Sequence, residues 1–183
     1  MSQSSPKTIC GTPDLLSDAF RDAFRRHPAG VAIITADHGG QPVAMTVSSL
    51  ISVSASPPVV AFSLSANSAS AQVVLDAQSV VIHLLQFDDL ELAKLGATSG
   101  ANRFGPEIDW ERLPSGEPRY SKVETWFRAR ITNTLPVDGA TIVAAELVEG
   151  QAAATQDEAE AETLVYFNRR WHRLGGTQEA AGH

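Results

Sequence analysis

The chain has 183 residues, 43% of them hydrophobic, and its 21 Asp and Glu outnumber its 14 Lys and Arg for a formal net charge of −7. That is enough chain for one domain with a sizeable core, and the composition shows no bias toward disorder or fibre. The acidic balance argues against sequence-independent binding to nucleic acid, which needs clustered Lys and Arg; a single cysteine, Cys10, excludes an internal disulfide.

Residues 1–11 read as a disordered tail, and their MSQSSPKTIC lacks the apolar core of a signal peptide. Helix signals follow. Thr12 can cap, Pro13 suits the first helical position and Asp14 the positive end of the dipole. Leu15, Leu16, Ala19, Phe20, Ala23 and Phe24 recur at spacings of three and four, which predicts one apolar face, and Pro28 and Gly30 end the helix. The period then changes. VAIIT (31–35) and PVAMTVSS (42–49) flank the turn-rich DHGGQ, which predicts a hairpin. Further strands are predicted at 50–54, 59–64, 80–85, 126–132, 141–147 and 163–167, with short helices at 68–77 and 88–95. The Gly-, Pro- and charge-rich 98–122 reads as a long excursion, a kind of segment that tends to be functional or mobile. The acidic 151–162 reads as a solvated loop or short helix, and 176–183 as a second tail. The expectation is one mainly β domain over 12–175, a barrel with a few peripheral helices. No apolar run approaches the ~18 residues that span a bilayer, so a cytoplasmic protein without a membrane partner is the simplest reading.

The stretch AMTVSSLISVSASPP (44–58) mixes strand formers with six hydroxyls, Thr46, Ser48, Ser49, Ser52, Ser54 and Ser56. Serine is a poor strand former with little to bury. Clustered hydroxyls beside main-chain amides can hold a polar, flat or phosphorylated ligand. A second cluster, Ser63, Ser65, Asn67, Ser68 and Ser70, leads into the helix at 68–77, and a helix N-terminus is a natural phosphate site. Capping, turning and facing water would explain the same serines. His83, in mid-strand, suits a satisfied core position or a pocket wall. Arg169, Arg170 and Arg173 with Trp171 and His172 form a basic–aromatic cluster that suits a solvated edge or an anion or cofactor clamp. Neither usual phosphate-loop fingerprint is present, nor a GxSxG, and no histidine pair has metal-ligand spacing with a Cys or carboxylate. No metal site and no catalytic side chain are assigned.

In chain order these segments resemble the flavin reductase-like family of FMN-binding split barrels, which includes the small reductase components of two-component flavin-dependent monooxygenases. The matching segments are FRDAFRRHPAGVAIIT (20–35), QPVAMTVSSLISVSASPPVVAFSL (41–64), SAS (68–70), NRF (102–104) and TLVYFNRRWHRL (163–174). The resemblance implies a split β-barrel and an NAD(P)H:flavin oxidoreductase. Such an enzyme moves hydride from NADH or NADPH to FMN or FAD and supplies reduced flavin to a partner monooxygenase. It also implies a homodimer. Carried over by position, Thr46, Val47, Ser48 and Ser49 would contact flavin, Ser63 and Leu64 would lie near its ring, and Ser68 and Ser70 would meet its phosphate. Arg103 and Phe104 would close over the pocket.

Three positions depart from the family pattern. Ala140 stands where a Gly-Asp-His motif would place a histidine associated with the nicotinamide, which leaves open an alternative: a flavin-binding carrier or sensor without efficient turnover. His83 replaces a common Asn, from where it would hydrogen-bond to flavin and add pH sensitivity. Ala44 replaces the glycine before Met45.

Overall fold

The computed structural model describes residues 12–153 and 162–175; the two predicted tails and most of the acidic 151–162 segment lie outside the described residues. In chain order the elements are α1 (Pro13–Arg25), β1 (Ala29–Gly30), β2 (Ala32–His38), β3 (Gln41–Val47), β4 (Ile51–Ala55), β5 (Pro58–Ser65) and α2 (Ala69–Asp76). Then come β6 (Ser79–Leu84), a 3-10 turn (Phe87–Asp89), α3 (Leu90–Ala97), β7 (Trp110–Arg112), β8 (Pro118–Tyr120), β9 (Trp126–Val137), β10 (Ala140–Gln151), β11 (Thr163–Phe167) and β12 (Arg170–Leu174). The chain is mainly β, as the sequence predicts.

Seven strands form one sheet in the order β3-β2-β6-β9-β10-β5-β4, all pairs antiparallel. β1, β11 and β12 form a second, smaller sheet, and β7 with β8 a two-stranded ribbon inside the 98–122 excursion. The β2–β3 hairpin closes on Gly39 and Gly40, at φ of 65° and 81°, a turn that only glycine adopts without strain, and the Gly40 amide donates to Asp37 Oδ1 at 2.8 Å.

From Ala32 to Ala36 β2 is buried on both faces, so VAII (31–34) carries no polar side chain, and buried Thr35 donates its hydroxyl to the Pro118 carbonyl. Ala32, Ile34 and Ala36 join Phe62, Leu64, Val80, Ile82, Ala129, Val143 and Ala145 in one core, with Ala71 and Val74 of α2 packed into it. Val31 and Ile33 point the other way, into a second core with Ala44, Leu85, Ala93, Tyr120, Val123 and Leu164. Each fully buried Phe, Leu or Ile contributes about 1.5–3 kcal/mol.

The two edge strands of the large sheet, β3 and β4, are joined by three residues, Ser48–Leu50. The four peptide steps from Val47 to Ile51 reach about 14 Å at most, whereas seven flat strands would stand about 29 Å from edge to edge. The sheet therefore curls until its edges nearly meet, and no ladder joins β3 to β4. This crossing also interrupts the side-chain alternation between β3 and β4. β4 is an edge strand exposed along its whole length, so Ser52 and Ser54 cost the core nothing.

The apolar face predicted for α1 exists but is left uncovered among the described residues. Leu15, Leu16, Phe20 and Phe24 are each 57–59% exposed, and no residue of α1 is buried.

Candidate functional site

Beside the crossing between the sheet edges lies a cavity of about 150 Å³ lined by Val31, Thr46, Val47, Ser48, Ala97, Tyr166 and Trp171. Three of these, Thr46, Val47 and Ser48, are residues predicted for a ligand cradle. Its walls are mostly apolar or aromatic, with a few polar groups among them, the composition of a small-molecule site. A larger cavity of about 390 Å³ opens at the far end of the β2–β3 hairpin. In its lining Arg112 is paired with Asp37 at 2.8 Å and Glu117 with Arg128 at 2.8 Å, and no Phe, Tyr or Trp is among its lining residues.

Each wall of the smaller cavity has a local cause. Asn168 and Arg169 take positive φ, 50° and 59°, in a two-residue turn between β11 and β12. That turn sets Tyr166 directly opposite Trp171, with ring centroids 4.8 Å apart. On the other side α3 lies hard against β3. Thr46 Oγ1 donates to the Ala93 carbonyl at 2.8 Å, and a Cβ on Gly96 would fall onto the Thr46 hydroxyl and stand 3.3 Å from its amide nitrogen. Gly96 is thus what lets Ala97 reach the cavity. The hydroxyl of Thr46 is spent on this helix contact, so Ser48 is the cavity's exposed hydroxyl.

The remaining predicted serines continue from the cavity in an unbroken path. Ser49 Oγ accepts the Ser63 amide at 3.0 Å and lies 3.4 Å from the Ser63 carbonyl, clipping the crossing to β5. β5 ends at Ser65, whose carbonyl accepts the Ser68 amide at 3.1 Å. Ser68 is the N-cap of α2 in an extended conformation and makes no side-chain cap bond, and Ser70 lies in the first helical turn. The positive end of the helix dipole is therefore uncapped at the end of this path. Ala140 is adjacent: it pairs with Ser65, and the Gly139 carbonyl accepts the Ala66 amide at 3.1 Å.

Leu64, Phe104 and His83 stand elsewhere. Leu64 is 1% exposed in the first core, so its side chain meets other core residues. Phe104 does not lie over the cavity. Its ring stacks on Tyr120 (centroids 5.7 Å apart, planes 9° apart) and meets Trp110 edge-on at 4.9 Å, which holds it in the second core. Arg103 remains beside the cavity: its Nη2 donates at 2.6 Å to the carbonyl of Thr98, next in sequence to the wall residue Ala97.

His83 is the clearest correction. It is 0% exposed, Nδ1 lies 3.2 Å from the Ile33 carbonyl, and Nε2 accepts the Tyr120 amide at 3.0 Å. Neither nitrogen is left for a ligand. Burial, helped by the Arg119 charge and opposed by the Ile33 carbonyl, lowers its pKa to about 4, so it does not titrate near neutrality as expected.

Sequence reasoning missed Val31, Ala97 and Tyr166 as wall residues and placed Trp171 in a basic–aromatic cluster read as a solvated edge or an anion or cofactor clamp. The usable signal was the turn. Tyr166 and Trp171 stand two residues before and two after Asn168-Arg169, the spacing of a cross-strand pair.

The flavin reductase like domain family model matches residues 24–175. An NADH:FMN oxidoreductase of Rhodococcus qingshengii is 37% identical over 169 residues, covering 90% of this chain and 88% of that protein. The reductase component of a 4-nitrophenol 4-monooxygenase/4-nitrocatechol 2-monooxygenase of Rhodococcus opacus is 30% identical over 133 residues, 73% of this chain and 71% of that protein. The crystal structure of a flavin reductase domain protein from Arthrobacter sp. FB24 superposes with a TM-score of 0.81 at 30% identity, covering 90% of this chain and 99% of that one.

Proposed function

The chain belongs to the flavin reductase like domain family, and from that premise we propose that it is an NAD(P)H:flavin oxidoreductase that reduces FMN or FAD with NADH or NADPH. We propose further that reduced flavin is handed to a partner monooxygenase, as the similarity to a monooxygenase reductase component supports. The observation that carries this reading is the unbroken path from an aromatic-walled slot, through Ser48, Ser49 and Ser63, to the uncapped N-terminus of α2. A flavin has the same order of parts: flat ring, polyhydroxyl chain, phosphate.

The residues present fit such a group. The flavin supplies the hydride-accepting ring when bound. Tyr166, Trp171, Val31 and Val47 would flank that ring and exclude water, and Ser48 would hydrogen-bond to its polar edge. Ser49 fixes the crossing in place, and Ser68 and Ser70 with the first turn of α2 would hold the phosphate. Arg103, tethered beside Ala97, would offer positive charge to the reduced, anionic form. In this reading the protein positions two reactants and stabilises charge, and it needs no acid–base side chain.

The curled sheet with its unladdered gap between β3 and β4 is, in this reading, the family's split barrel, with the domain running over 12–175. A second copy of the chain would cover the apolar faces left exposed: α1, and the sheet surface carrying Ile51, Val53, Leu135, Val137 and Ile142.

The test is an anaerobic visible spectrum of the protein with FMN. Bleaching of the oxidised-flavin band within seconds of adding NADH or NADPH is expected. A bound flavin spectrum that persists with both nucleotides would overturn the reductase reading in favour of the flavin carrier that Ala140 raised.

A further inference from the structure

We infer that His83 is a positioning residue: a neutral imidazole inside the sheet that suspends the 98–122 excursion from the barrel through Tyr120, and so sets where Arg103 stands beside the slot. The functional half of this inference rests on the proposed flavin reductase reading; the structural half does not.

The two contacts of the imidazole determine its proton. His83 lies on β6 directly opposite Ile33 of β2, and a carbonyl can only accept, so Nδ1 carries the hydrogen toward Ile33. Nε2 is then bare, and it takes the main-chain N–H of Tyr120. One neutral tautomer satisfies a strand carbonyl on one side and a loop amide on the other. Tyr120 is 1% exposed, so its amide, deprived of this acceptor, would be an orphan donor with no water to replace it.

From Tyr120 the contacts run outward to the slot. Its hydroxyl donates to the Arg103 carbonyl at 3.0 Å. Its ring stacks on Phe104, and the Trp110 indole N–H donates to the Phe104 carbonyl at 3.2 Å. Both main-chain carbonyls of the Arg103-Phe104 pair are thereby held by side chains of the β7–β8 ribbon. The Arg103 guanidinium in turn reaches the Thr98 carbonyl, one residue from the slot wall at Ala97. A side chain with no accepting atom at the Nε2 position cannot hold this arrangement. Asparagine is too short to reach the Tyr120 amide, whereas glutamine can place an acceptor close to where Nε2 stands.

The experiment compares wild type with His83→Asn, His83→Gln and Tyr120→Phe, the last removing only the link to the Arg103 carbonyl. Two measurements need no turnover: hydrogen exchange across 98–122, with tryptic cleavage after Arg103, and the FMN dissociation constant by fluorescence quenching. His83→Asn is expected to speed exchange and cleavage in the excursion at least about tenfold, as the loss of one buried hydrogen bond implies, while β10 amides stay protected. It is expected to weaken FMN binding about tenfold, with KM for flavin rising more than kcat falls. His83→Gln should restore most of both. Tyr120→Phe should raise cleavage after Arg103 with smaller changes elsewhere, which keeps the test open should His83→Asn fail to fold. Unchanged exchange and cleavage in both His83→Asn and Tyr120→Phe would overturn the strut. A loosened excursion with unchanged FMN affinity would overturn the positioning role. Wild type that binds FMN but never reduces it would instead sink the reductase reading and leave the strut to the exchange data.

Discussion

Acid should destabilise this protein through His83. Burial lowers the imidazole pKa from 6.5 to about 4 in the folded chain. The unfolded chain therefore takes up a proton, between those two values, that the native state refuses. Stability from this source is complete above about pH 6.5 and falls as the pH drops toward 4. At 1.36 kcal/mol per pKa unit the whole interval is worth about 3 kcal/mol, of which about 2.5 kcal/mol is lost by pH 4.5. Protonation would also strip Nε2 of its lone pair and break the bond from the Tyr120 amide. The assay is urea unfolding at pH 7.5 and pH 4.5 for wild type and His83→Gln, whose side chain does not titrate in this range. All other ionisable groups are common to both proteins and cancel. Wild type should lose about 2.5 kcal/mol more than the variant between the two pH values. Equal losses would refute the argument that a neutral, doubly bonded imidazole is built into the core.

Gly96→Ala should cost about 1–2 kcal/mol in urea unfolding, because its methyl group runs into the Thr46 hydroxyl, which is held by the Ala93 carbonyl, and crowds the Thr46 amide; an unchanged midpoint would mean that α3 does not pack on β3 as described. Ser48→Ala combined with Ser70→Ala should weaken FMN binding well beyond tenfold, since each loses a hydrogen bond worth about 1–3 kcal/mol, and unchanged affinity in an equilibrium titration would sink the proposed cradle. Arg169→Gly should stabilise the fold by about 1 kcal/mol, relieving a positive φ of 59°. It should raise Tm by about 2–4 °C, and a lower Tm would show that the Arg169 side chain contributes more than its backbone strain costs.

Much of the fold was legible because local patterns report local structure. Pro13 and the three–four spacing marked α1, the turn-rich DHGGQ marked the β2–β3 hairpin, and VAIIT (31–35) marked a strand, though not that both of its faces are buried. The short ribbon β7–β8 escaped notice because three-residue strands carry too little periodicity to register. The predicted α1 face was correct as a pattern, yet it says nothing about what covers it. A hydrophobic stripe looks the same whether its partner is the chain's own core or a second molecule.

The site divides along the same line. Residues neighbouring in sequence, Thr46 to Ser49 and Ser68 to Ser70, could be picked out as a hydroxyl cradle because their chemistry and spacing sit in one window. Side-chain direction could not be read that way. Thr46 turned out to serve α3, Leu64 the core, Phe104 the second core, and His83 a carbonyl and an amide. The slot wall came from Val31, Ala97, Tyr166 and Trp171, which lie far apart in the chain and meet because the seven-stranded sheet curls and the β11–β12 hairpin packs beside its gap. Composition, period and turn chemistry are properties of the chain itself and survive unfolding. Which face of a strand meets a ligand depends on the closure of the whole sheet, a cooperative outcome of packing that no single window of sequence contains.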